Sequence, residues 1–171
     1  MNFNELAKRR YSCRKIDGTR PVEQEKLDAI IEAGIAAPTG CNFQPYSLWL
    51  VKSPDAVQKI KETTKYTFGA EIFFVVGAKR DKAWTRPFDN ANFADVDASI
   101  VATHMMLAIE DQGLATTWVG FFDAPKLQTL IPEMANHDLI AIFPVGYAAP
   151  DAKPAGMHTT RRSPDEAVKV L

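Results

Sequence analysis

Apolar positions recur along this chain with two periods, and the change from one to the other marks out its elements. Leu27, Ile30, Ile31 and Gly34 fall at i, i+3, i+4 and i+7, the stripe of a half-buried helix introduced by Pro21. That helix must stop before Pro38, because proline disfavours the helical conformation at Ala37. Tyr46–Val51 reads as a strand, and Ser53-Pro54 opens a helix with a hydroxyl cap and a proline at the first helical position. Ile72–Ala78 is an unbroken apolar run rich in β-branched and aromatic residues, the mark of a strand covered on both faces. Asn2 with Glu5 forms a capping-box pattern ahead of a first short helix, and Ser163-Pro164 opens a last one.

The most demanding segment is Asp95–Gln112, a helix closed by Gly113 in the place of a left-handed cap. Val96, Ala98, Ile100, Val101, Met105, Met106, Leu107 and Ile109 put apolar groups on nearly every face. A helix apolar all round is buried all round, either in the core of its own subunit or partly under another. Beyond it, Ala115–Phe122 and Asp138–Tyr147 read as strands, with a short helix from Asp123 to Leu130 between them. After Pro150, with Pro154 and Gly156, periodicity stops and the chain should run extended over a surface.

Composition then excludes several classes. At 171 residues, with no repeat or linker, one domain spanning 1–171 is expected. Hydrophobic residues at 46% and charged residues at 24% are ordinary for a soluble globular protein. Neither a signal segment nor an apolar stretch of membrane-spanning length is visible. Cys13 and Cys41 give no disulfide framework, so a cytoplasmic chain with free thiols is expected. His104, His137 and His158 lack metal-ligand spacing, and no G-x-G-x-x-G, Walker or G-x-S-x-G pattern occurs.

The net charge is only −1, yet Lys8, Arg9, Arg10, Arg14 and Lys15 crowd around Ser12. Such a local field either faces solvent or addresses an anion, and a phosphate suits an arginine fork beside a hydroxyl. No pair of carboxylates stands out as acid and base. An anion-binding pattern without a catalytic side chain suits chemistry carried by a bound cofactor.

Read in order, the motifs resemble those of the nitroreductase-like flavoproteins. They are Arg10-x-Ser12-x-Arg14, Pro38-Thr39-x-x-Asn42-x-Gln44-Pro45, and Asp95-Val96-Asp97-Ala98 leading into His104-Met105-Met106-Leu107-Ala108. Gly113–Asp123, Phe143–Tyr147 and Arg161-Arg162-Ser163-Pro164 continue the likeness over nearly the whole chain. The resemblance implies an α+β fold with a central mixed, mostly antiparallel sheet flanked by helices, and a long apolar central helix at a homodimer interface. It implies FMN bound across that interface, hydride transfer from NAD(P)H through flavin N5, and a small-molecule electron acceptor. Neither a catalytic side chain nor a metal, a nucleic acid or a membrane is called for.

Carried over by position, Arg10 and Ser12 would face the ribityl phosphate and Arg14 the pyrimidine edge of the ring. Pro38, Thr39, Gly40 and Asn42 would come from the partner subunit. The backbone around Val119 and Gly120 would face N5, and Arg161 would close on the phosphate. Tyr11, Gln44, Trp118 and Arg162 complete the implied set. Gly40 and Gly120 also have plainer readings, as a turn and a strand bulge.

The sequence departs from the family in having Thr39-Gly40 where two serines are common. Its stretch before Asp95 is also short, leaving Trp84, Phe88 and Phe93 either as a small lid or as core-edge filling. The acceptor is therefore open among nitro, quinone and enoate compounds. An enzyme of one specific metabolite, with nitro reduction incidental, is the alternative within flavoproteins. A small anion- or nucleic-acid-binding module is the alternative outside them, and it lacks interleaved aromatics and a basic global charge.

Overall fold

The computed structural model describes residues 2–171. Its centre is a three-stranded antiparallel sheet in the order β2 (Tyr46–Val51), β3 (Ile72–Ala78) and β4 (Asp138–Val145). The pairing runs Tyr46 with Ala78 through Val51 with Phe73, and Ile72 with Val145 through Ala78 with Asp138, with a bulge between Val76 and Gly77. A second antiparallel pair joins β1 (Ile16–Asp17) to β5 (Tyr147–Ala148). Within the described residues all strand ladders are antiparallel, so the parallel element of the expected mixed sheet is not formed inside one chain.

The unbroken apolar run of β3 follows from its place in the middle. Phe74, Val76 and Ala78 face one core, with Phe143 and Val145 of β4 and residues of α2 (Gln24–Ile35) and α4 (Ala94–Asp111). Phe73 and Val75 face the other, with Ile142, Val57 and Ile60 of α3 (Pro54–Lys61) and Leu127 of α5 (Ala124–Leu130). Alternation at period two thus feeds two cores from one strand. α1 (Phe3–Arg9) starts at the Asn2–Glu5 capping box, and α6 (Pro164–Ala167) at a second one formed by Ser163 and Glu166.

Ala115–Phe122 does not form a regular strand. It makes two bridges along β4 and the residue after it, Ala115 with Gly146 and Val119 with Ile142. The residue midway between them on β4 is Pro144, which has no N–H to donate, so the ladder fails opposite Thr117. One carbonyl from that stretch is used elsewhere, Thr116 O accepting from the Cys13 N–H at 2.9 Å.

α4 is asymmetrically buried. Met105 lies wholly in the core, and a methyl group placed on Gly34 of α2 would meet its Cγ at 2.8 Å. The opposite side carries Asp95, Val96, Ser99, Ile100, Thr103 and His104 around an open hollow, with Val96 47% exposed. Among the described residues no helix is long and apolar enough to cross a membrane.

Candidate functional site

After α1 the backbone runs extended, and period two puts Arg10, Ser12 and Arg14 on one side and Tyr11, Cys13 and Lys15 on the other. The second side is the anchored one. Cys13 is fully buried, its N–H bonds Thr116 O, and its thiol donates to Lys15 O at 3.2 Å. Burial pushes the Tyr11 phenol up to about 12, and its contact with the Cys13 thiol adds to the shift. Tyr11 therefore stays protonated at neutral pH. Lys15 turns away to pair with Asp151, and Arg9 is held by Glu110 at 2.7 Å. The basic knot is thereby sorted, since Arg9 and Lys15 are neutralised while Arg10, Arg14 and Arg161 make no ion pair among the described residues.

Those three arginines meet at a cavity of about 180 Å³ lined by Arg10, Ser12, Arg14, Met157, His158 and Arg161. Arg161 reaches it from the far end of the chain, its guanidinium braced by donation to Thr160 O at 2.7 Å. No acidic residue lines this cavity. Three guanidinium groups and a hydroxyl without a counter-ion form a donor set for a multiply charged anion.

Arg14 also borders a second cavity, of about 230 Å³, walled by Tyr66, Phe68, Trp118, Val119, Gly120 and Phe121. Tyr66 meets the Phe121 ring edge-on at 5.7 Å, and Trp118 meets Phe143 at 5.3 Å. At Gly120 an added methyl group would find nothing nearer than Trp118 Nε1 at 4.0 Å, so the backbone there is bare. One arginine thus joins an anion cradle to an aromatic slot with an uncovered peptide edge.

Tyr66, Phe68 and Phe121 escaped the sequence reading. Their signal was Tyr66-Thr67-Phe68-Gly69, two aromatics in a turn-like stretch where burial alone does not call for them. Phe68 and Gly69 have φ of 52° and 88°, the left-handed backbone that directs the Phe68 ring.

The remaining residues lie elsewhere. Pro38, Thr39, Gly40, Asn42 and Gln44 form a separate turn against the start of α4 and line neither cavity. Arg162 is exposed beside Arg161 and is not among the residues lining the anion cavity. Trp84 and Phe93 stack edge-on at 4.9 Å in a small hairpin closed by the Thr85–Asn92 bridge, with Phe88 93% exposed at its tip.

The sequence pattern of the nitroreductase family matches residues 7–69 and 63–147. A nitroreductase family protein from Clostridium difficile 630 is 36% identical, with 99% of this chain and 98% of that one superposing at a TM-score of 0.90. A nitroreductase-type protein from Desulfovibrio desulfuricans, solved in complex with FMN, shares the fold at a TM-score of 0.79, with 23% identity, 100% of this chain and 98% of that one. The iodotyrosine deiodinase of Nematostella vectensis is 24% identical over 99% of this chain. The chain spans 74% of that protein's length and 62% of its pig counterpart's. The matched regions take in the extended Arg10–Arg14 segment, the 38–44 turn, α4 and the Val119–Gly120 edge, and on that evidence this chain belongs to the nitroreductase family.

Proposed function

We propose that this protein is an FMN-dependent oxidoreductase, working as a homodimer, that takes a hydride from NADH or NADPH and reduces a small organic acceptor. The observation that carries the reading is the convergence of Arg10, Ser12, Arg14 and Arg161 on one acid-free cavity that opens, through Arg14, onto a flat aromatic slot. A phosphate monoester joined to a planar ring is the ligand with that distribution of charge and shape. The absence of a dinucleotide fingerprint favours FMN over FAD.

Arg10, Ser12 and Arg161 would hold the phosphate, with guanidinium forks and a hydroxyl taking its oxygens. When bound, FMN supplies a ring that accepts a hydride at N5 and hands two electrons to a second substrate. Arg14 keeps a positive charge where the two cavities meet and stabilises negative charge that develops at that end of the slot. Val119 and Gly120 offer bare backbone against which a flat group can lie, and Tyr66, Phe68 and Phe121 exclude water. Tyr11, on the opposite side of the backbone, would support the cradle from behind through its edge-on contact with His158, and Trp118 would be a packed edge of the slot. The turn carrying Pro38, Thr39, Gly40, Asn42 and Gln44 would complete the site from a second copy, with the open side of α4 packed between the subunits. Arg162 remains a candidate for a lesser phosphate contact.

Flavin released by heat from the purified protein should be FMN at about one per chain, the stoichiometry of a symmetric dimer with one site per subunit. FAD as the dominant species, or none after reconstitution, would reject the reading. Double-reciprocal plots should be parallel for NAD(P)H against a nitro, quinone or enoate acceptor, because both substrates use one site in turn.

A second reading has a specific observation behind it, the similarity to iodotyrosine deiodinases along nearly the whole chain. On that reading the acceptor is one metabolite, such as a halogenated phenol, and nitro reduction is incidental. Comparing kcat/KM for 3-iodotyrosine with that for a nitroaromatic separates the two.

A further inference from the structure

We infer that Asp97 is a positioning residue for the surface the 38–44 turn presents to a bound flavin, an inference that rests on the reading above. The turn is unusual in its backbone. Cys41, Asn42 and Gln44 have φ of 49°, 57° and 51°, so three residues with side chains occupy the left-handed region within four positions. Such conformations are unfavourable for L-residues and persist only where the surroundings over-determine them.

Most of the restraints lie within the turn. The Asn42 N–H donates to Thr39 O, Phe43 N–H to Gly40 O, and Gln44 N–H to Thr39 Oγ1, each at 3.0 Å. They fix its shape, and the side chains of Cys41, Asn42, Phe43 and Gln44 are all exposed.

Just past the turn Pro45 O accepts from the Lys79 N–H at 2.7 Å, and the side-chain tie to the rest of the molecule is Asp97. It lies in the first turn of α4, is 2% exposed, and accepts the Gly40 N–H on Oδ1 at 2.9 Å. Its other oxygen, Oδ2, is out of water and has no hydrogen-bond partner among the described residues. A methyl group placed on Gly40 would lie 3.6 Å from Oδ2, in ordinary contact, and 3.3 Å from Trp84 Cβ, so the three elements pack closely here. The helix, the turn and the 84–93 hairpin therefore interlock at one glycine. An unsatisfied buried oxygen is a cost that packing alone does not explain.

Because the turn lines neither cavity of its own chain, the flavin it would touch is the one held by Arg10 of the other subunit. This gives a test independent of turnover. Asp97→Ala should weaken FMN binding about tenfold or more, while Asp97→Asn, which keeps an acceptor for Gly40, should stay within about threefold. Far-UV circular dichroism and dimer formation should be unchanged in both.

Differently tagged Asp97→Ala and Arg10→Ala chains are then co-expressed, and the mixed dimer is isolated through both tags. It has one site with both defects and one with neither, so it should recover about one FMN per dimer where each parent dimer holds little. If Asp97→Ala binds FMN as the wild type does, or if the mixed dimer holds no more than its parents, the inference is overturned. If Asp97→Ala does not fold, Asp97→Ser, whose hydroxyl is too short to reach the Gly40 N–H, takes its place in the mixed dimer, with the same two outcomes. A wild-type protein that takes up no FMN, or is a monomer, instead overturns the functional reading itself.

Discussion

On the proposed reading the extended Arg10–Arg14 segment and the 38–44 turn serve one site, yet they are built in opposite ways. The segment is unstrained and rich in charge, and its anchor is a buried cysteine facing away from the cavity. The turn carries no charge of its own, is strained at Cys41, Asn42 and Gln44, and is anchored through its backbone by a distant carboxylate. On that reading one region attracts a ligand, and the other shapes what surrounds it. Attraction needs the right side chains at alternate positions. Shape needs a backbone held where it would not rest unaided.

The largest effect expected of this division is at Arg10. Arg10→Ala should weaken FMN binding by about 2–3 kcal/mol, the worth of a charged hydrogen-bonding group, read by quenching of flavin fluorescence at two salt concentrations. Equal affinity at both salts would mean the segment does not work through charge. Arg14→Gln should act differently, leaving oxidised FMN bound but penalising the reduced form. About 1.4 kcal/mol of such a difference lowers a two-electron midpoint potential by roughly 30 mV, and an unchanged redox titration would reduce Arg14 to another phosphate contact.

The turn gives a smaller change, of opposite sign in stability. Cys41→Gly removes a left-handed penalty of about 1–2 kcal/mol and adds a chain-entropy cost of about 0.5–1 kcal/mol. The apoprotein should melt slightly higher while FMN binds less tightly. A lower melting point would mean that the turn is not strained in the sense described. Smallest of all, Arg162→Ala should alter FMN affinity by less than about 0.5 kcal/mol, in contrast to Arg161→Ala. Equal losses at the two positions would show that both reach the phosphate.

The same contrast governs what could be read from the sequence. β2 and β3 were legible to the residue because their periodicity is bounded by turn formers, the Asn2–Glu5 capping box because an amide three residues before a glutamate is a local signal, and the start of α6 because Ser163-Pro164 is one. Arg10, Ser12 and Arg14, singled out by the family resemblance, line one cavity because extended backbone puts alternate side chains on one side. The failed ladder at Thr117 was present in the sequence as Pro144, but its consequence depends on which residue it opposes. Met105 and Ile100 look alike on a helix apolar all round, and the neighbouring α2 decides that Met105 is inside. Left-handed backbone at Cys41 and Gln44 has no residue-level mark. Nor does the bond from Gly40 to Asp97, which joins residues far apart in the chain. Charge is written locally, whereas strain is a property of the folded whole.

Arg14 borders both the anion cradle and the aromatic slot. On the proposed reading a single codon then influences how firmly the coenzyme is retained and how readily it is reduced. Those two traits cannot drift independently in descendants of this protein: a lineage that retunes its chemistry at this position must restore retention somewhere else, and Arg161 and Ser12 are the places where such compensation would leave its trace.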